Sequence, residues 1–244
     1  MNKIYEMRTF RENVFAKAGI RGTWQSSKKC LLCQEYPDIC LLPPLIIEWE
    51  PGSDVIADFT YAFLGHLIVK ESIMLEMQKT FKGILTWPVE MIQDKKVKKP
   101  KHIDGRTKKR IWLPYEGEKL LAIGGCEHIV KADLTRTTVK VIENCKKCHR
   151  FSYSGLMELS GITAEWNGSE FVNVITKRKE NKGIYVPGSS VKGYDFFEVV
   201  LRDDMKRHLM GEFFCVTENV KKWAEKNAFN NLIFLEIGEI VEGI

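Results

Sequence analysis

The feature that most constrains this chain is a pair of Cys-x-x-Cys steps set far apart. Cys30-Leu-Leu-Cys33 and Cys145-Lys-Lys-Cys148 are separated by 111 residues. One such step lets two thiolates point at a tetrahedral metal, and a second completes four sulfur ligands. That separation is far outside the spacing of a compact zinc finger, so a metal shared by both pairs would staple distant regions together. Two other readings stay open: a thioredoxin-like redox site at one pair, and reduced structural cysteines. Redox pairs belong at a helix start in a βαβ context. "VIENCKKCHRFSYSG" has the strand but no helical run after it. "CLLCQEYPD" has apolar residues between the thiols and an early proline.

The chain has seven cysteines, an odd number, and its N-terminus shows no apolar run long enough for a signal peptide. A disulfide scaffold is therefore not expected, and the chain reads as cytoplasmic. No uncharged apolar stretch of membrane-spanning length is present, so no membrane partner is expected. His149 and Cys40 are substitute ligand candidates. Cys126 and His128, in "GGCEH", form a nucleophile–base pair only on paper, since nothing supplies an orienting acid. Cys215, in "FFCVT", reads as a buried strand cysteine.

The pairs sit at the same place in two similar halves. "PGSDVIADF" at 51–59 matches "PGSSVKGYDF" at 187–196. Val69, Glu71, Ile73, Phe81 and Ile84 then match Val216, Glu218, Val220, Phe229 and Leu232, with one inserted residue. In each half the pattern predicts strand, helix, strand: a helix from about 71 to 81 ended by Gly83, and another starting near Thr217 or Glu218 with Thr217 as N-cap. "LIIEW" at 45–49 reads as a strand between prolines. The order CxxC, PGSxV…DF, VxE-helix-strand thus occurs twice, a degenerate internal repeat. The expected fold is α+β, with two related halves over 1–94 and 111–244. Each half is a small mixed or antiparallel sheet with a flanking helix, and a four-cysteine metal site joins them.

Between the halves lies "KKVKKPKHIDGRTKKR", residues 95–110, with nine Lys or Arg against one Asp; the rest of the chain is mildly acidic. The segment reads as an exposed loop. Lys98, Lys99, Lys101, Arg106, Lys108, Lys109 and Arg110 are its candidate partner-binding residues, for an acidic protein or for nucleic-acid phosphates. No phosphate loop, metalloprotease motif or nucleophile elbow occurs, and the carboxylates are scattered. Glu71 and Glu218 suit helix N-termini, and Asp58 and Asp195 suit turns or caps. No enzyme is expected.

With "CLLCQ" at 30–34, "CKKCH" at 145–149, "LIVKESIMLEM", "DFFEVV" and "FCVTENVKKWAEKNAFNNLIFLEI", the chain resembles the bacterial double-CxxCG motif proteins first grouped as myxobacterial paralogues. Some of these look like immunity proteins of polymorphic toxin systems. The resemblance implies a non-catalytic protein that neutralises a cognate toxin by stoichiometric binding, on a scaffold stapled by structural zinc at Cys30, Cys33, Cys145 and Cys148. A zinc-stabilised nucleic-acid-binding protein and a CxxC redox protein are the alternatives. In one respect the chain departs from the pattern: Gln34 and His149 stand where the family carries glycine, which eases a tight turn around a metal sulfur.

Overall fold

The computed structural model of the protein describes residues 2–9, 14–36, 39–62, 66–101, 109–168, 171–202 and 213–242. Along the chain come β1 (Asn2–Arg8), β2 (Lys17–Ile20), β3 (Trp24–Ser26), β4 (Ile39–Leu41), β5 (Leu45–Trp49), β6 (Phe59–Ala62), β7 (His66–Lys70), α1 (Glu71–Thr80) and β8 (Ile84–Met91). After the basic segment follow β9 (Leu120–Cys126), β10 (Ile129–Lys131), β11 (Lys140–Glu143), β12 (Phe151–Ser154), β13 (Ile162–Trp166) and β14 (Phe171–Ile175). The chain continues through β15 (Ile184–Pro187), α2 (Gly188–Val191), β16 (Phe196–Val200), β17 (Phe214–Thr217), α3 (Glu218–Lys226) and β18 (Ile233–Val241). The protein is mostly sheet, with three α-helices among the described residues, so the expected balance of sheet and helix is corrected toward sheet.

Two six-stranded sheets carry the fold. One is a closed barrel in the order β5-β8-β9-β7-β6-β2; the other runs β15-β18-β1-β17-β16-β10. Neighbours at matched places share their orientation. β5·β8 and β15·β18 are parallel, as are β6·β2 and β16·β10. The other matched pairs are antiparallel. Even the register agrees, with Phe59 opposite Val69 and Phe196 opposite Val216. The sheets differ at the seam. β2 and β5 pair antiparallel and close the barrel. In the second sheet, the Asp133 and Thr138 N–H groups donate to the Tyr185 and Gly183 carbonyls at 2.7 and 3.0 Å.

The division at the basic segment does not separate these sheets. β9, from beyond the segment, lies between β7 and β8, and β1 lies between β17 and β18. Each sheet therefore takes a central strand from the other side of the segment. Ile4 is fully buried in β1, and beside it the sheet is tight. Gly238 is opposite both Ile4 and Ile184, where an added Cβ would fall 1.8 Å from the Ile184 carbonyl oxygen.

The helices meet between the sheets. α1 buries Ile73, Met74 and Met77; α3 buries Val220 and Ala224. These side chains pack with Tyr5, Phe59, Val69, Phe196 and Val216 in one cluster drawing on both sheets. Phe81 meets Trp223 edge-on at 5.4 Å, and the Trp223 indole N–H donates to Glu76 at 3.1 Å. The exits of the helices grip the opposite sheet. Asn230 and Asn231, after α3, hydrogen-bond the backbone of Asp58 and Phe59. The Lys82 carbonyl, after α1, accepts from the Asp195 and Phe196 N–H groups.

The anticipated elements are present at β5, α1 and α3. Thr217 occupies the N-cap position, but its hydroxyl donates to Asp195 at 2.8 Å rather than into the helix. Because β1 is a structural member of the second sheet, Ile4→Ala should lower the unfolding free energy by about 3 kcal/mol in urea titration. Leu31→Ala, at an exposed position, should cost less than about 0.5 kcal/mol.

Candidate metal centre

Each cysteine pair sits at the end of a two-stranded hairpin. β3 and β4 pair Trp24 with Leu41 and Ser26 with Ile39; β11 and β12 pair Lys140 with Ser154 and Glu143 with Phe151. Between the strands the chain turns tightly around a sulfur. The Gln34 N–H donates to the Cys30 carbonyl at 2.9 Å, and the His149 N–H donates to that of Cys145 at 2.8 Å. Both turns end in the left-handed region, with φ of 60° at Gln34 and 57° at His149. Side chains with a Cβ enter this region at a cost of about 1–2 kcal/mol. Glycine would enter it freely; here both turns take that conformation with a side chain in place.

The two turns meet. Cys30 Sγ lies 3.8 Å from Cys145 Sγ, and Cys33 Sγ lies 3.7 Å from Cys148 Sγ. All four sulfurs lie within 4.8 Å of one another. A disulfide needs about 2.05 Å between sulfurs. Four ligands placed tetrahedrally at metal–thiolate bonds of about 2.3 Å stand about 3.8 Å apart. The four predicted ligands therefore come together with the spacing of a metal centre. Cys30 and Cys145 are buried and their partners half-buried.

The electrostatics point the same way. The backbone N–H groups of Cys33 and Leu32 aim at Cys30 and lower its thiol from 9.0 to about 6. Those of Cys148 and Lys147 lower Cys145. Cys148 receives a favourable bond from the Arg150 N–H, but burial and its three neighbouring cysteines outweigh it and push the thiol up to about 12. Without a cation the cluster holds some of its protons; a divalent metal bound by the four sulfurs would displace them.

The other candidates are dispersed. The Cys40 side chain lies outside the described residues. The His149 imidazole turns to Glu143, 3.2 Å away. Cys126 is buried, while His128 bonds the Ser190 carbonyl at 2.6 Å and stacks on Tyr194. Cys215 is fully buried in β17, as its apolar context indicates. Glu71 pairs with Lys119 at 2.6 Å, Glu218 with Lys222 at 3.3 Å, and Asp58 with Lys70 at 2.7 Å.

Of the basic segment, Lys98, Lys99 and Lys101 are exposed. Lys109 is exposed and 3.8 Å from Asp54. Arg106 and Lys108 lie outside the described residues. Arg110 corrects the expectation of an exposed loop: it is buried, donates to the Trp49 carbonyl at 2.5 Å, approaches Glu48 at 3.6 Å and covers the Trp112 ring. It is bound into the barrel wall. The adjacent "IW" was the one hint in the sequence that this cation is folded in.

Neither a scan against protein-family models nor a search of curated proteins finds a match to the chain.

Three outcomes follow from this geometry. Cys145→Ser should abolish stoichiometric metal uptake and lower the melting temperature of metal-loaded protein to that of chelator-treated native protein. The depressed Cys30 thiol favours the folded thiolate above pH 9.0, a contribution that fades as the pH falls towards about 6. Metal affinity, read by competition with a chromophoric chelator, should also fall on acidification across that window, because the Cys148 thiol, pushed up to about 12, must release its proton to bind. Gln34→Gly and His149→Gly should retain metal and change stability by no more than about 1 kcal/mol, since relief of the left-handed backbone offsets the greater freedom of glycine in the unfolded chain.

Proposed function

We propose that this chain is a non-catalytic, cytoplasmic binding protein, stapled by structural zinc, that neutralises a cognate bacterial toxin by stoichiometric binding. The observation that carries the staple is the convergence of Cys30, Cys33, Cys145 and Cys148 from two hairpins far apart in sequence. Four thiolates in tetrahedral array are a donor set that zinc favours. The same reading takes the chain as two related halves, supported by the matched strand neighbours of the two sheets.

The toxin reading rests on the resemblance to double-CxxCG motif proteins. It is supported by the left-handed turns at Gln34 and His149, where that family places glycine. A redox role is less well supported. Each CxxC lies in a turn between strands rather than at a helix start, and the sulfurs approach across the hairpins. Exposed Lys98, Lys99 and Lys101 keep nucleic acid as the second reading.

The test is twofold. Purified protein should contain one zinc per chain by elemental analysis. Co-expression with the toxic product of the adjacent reading frame should restore growth and yield a complex of equal stoichiometry. Growth arrest despite soluble, zinc-loaded protein would exclude that toxin reading. Salt-sensitive retardation of an oligonucleotide at low ionic strength, lost on neutralising Lys98, Lys99 and Lys101, would favour nucleic acid instead.

A further inference from the structure

The metal centre explains the cysteines but not the residues between and beside them. Leu31 and Leu32, the spacer of the first pair, are 78% and 65% exposed. A metal turn requires only that these positions be small enough or free to face outward, so two adjacent leucines in water are an unused apolar surface. The second pair carries Lys146 and Lys147 at the corresponding spacer, both exposed, and Lys28 and Lys29 precede the first pair, also exposed. Every one of these six residues lies within two positions of a cysteine whose sulfur belongs to the four-sulfur cluster. The two turns therefore present them together at one end of the paired hairpins.

The charge of this tip is one-sided. Over 28–36 and 143–150 there are five Lys or Arg against two carboxylates, and one of the two, Glu143, is bonded to His149. An apolar centre with a rim of one sign fits a partner with apolar side chains among carboxylates. The leucines favour protein over nucleic acid. Single-stranded nucleic acid is held by open aromatic faces, and here Lys29 already lies over the Tyr36 ring at 5.3 Å.

We propose that the tip formed by Leu31, Leu32, Lys28, Lys29, Lys146 and Lys147 is a docking surface for an acidic protein segment that carries exposed apolar side chains. It rests on the reading of the chain as a binding protein and assigns that role a surface, distinct from the basic segment. The metal fixes the two turns relative to each other, and the spacer residues make the contact.

The experiment is fluorescence anisotropy of the full, zinc-loaded chain with three labelled probes. These are a peptide alternating Leu with Asp and Glu, the same peptide with Asn and Gln in place of the acids, and a single-stranded DNA oligonucleotide. The acidic peptide should bind in a salt-sensitive manner, and the neutral peptide should bind at least about tenfold more weakly. Leu31→Ser with Leu32→Ser, and separately Lys28→Glu, Lys29→Glu, Lys146→Glu and Lys147→Glu together, should each weaken acidic-peptide binding about tenfold or more. Zinc content and melting temperature, measured on every variant, should match the native chain. No binding of the acidic peptide, equal binding by native and variant chains, or preference for the oligonucleotide overturns the proposal. The growth test stands apart from these results. Peptide binding without rescue upholds this surface and removes the toxin reading; rescue without peptide binding does the reverse.

Discussion

The contact on which the rest of the structure depends is the face shared by α1 and α3. Each helix is short, about three turns, and would be marginal alone in water. Their buried side chains fill the space between the barrel and the second sheet, and Phe59, Val69, Phe196 and Val216 close it from both sides. Burial of this kind contributes about 1.5–3 kcal/mol per large apolar side chain. Hydrogen bonds cross it at the margin: Asn231 donates to the Phe59 carbonyl, and Trp223 to Glu76. The sheets are consequently held by one core and not by a linker.

This arrangement explains why the two hairpins bearing the cysteines can meet. They project from matched places in two sheets whose relative position the shared core already fixes. The cluster then adds a local constraint at their ends. Its thiols are drawn apart in acidity by backbone N–H groups that reach Cys30 and Cys145 and by the crowding that holds a proton on Cys148. A divalent cation would take the place of the proton that this crowding keeps on Cys148.

Much of this was legible in the sequence, and the reasons differ by element. α1 and α3 were readable because Ile73 and Met77, and Val220 and Ala224, fall on one face at helical spacing. The four clustered cysteines were readable because each CxxC step brings two thiols that can point at one place. The abundance of strand was not. β3, β10 and β13 are three to five residues long, too short for alternation to register against loop. β1 gave no sign of its partners, since pairing with β17 and β18 is set by tertiary contacts more than two hundred residues away. Arg110 misled through its neighbours: it ends a run of cations in the sequence, and the Trp49 carbonyl and Glu48, distant in sequence, turn it inward.

The exchange of central strands has a consequence for how the chain is made. β1 precedes every other described strand in synthesis, while the strands on either side of it, β17 and β18, follow all the others. The barrel can assemble once β9 has emerged, but in the second sheet β1 must wait for both of its neighbours until β17 and β18 have emerged. Such long-range pairing slows folding, because the closing of a long loop precedes its reward. Until then β1 is an unpaired edge, and exposed Lys3 and Arg8, with half-buried Glu6, keep charge along it while it waits.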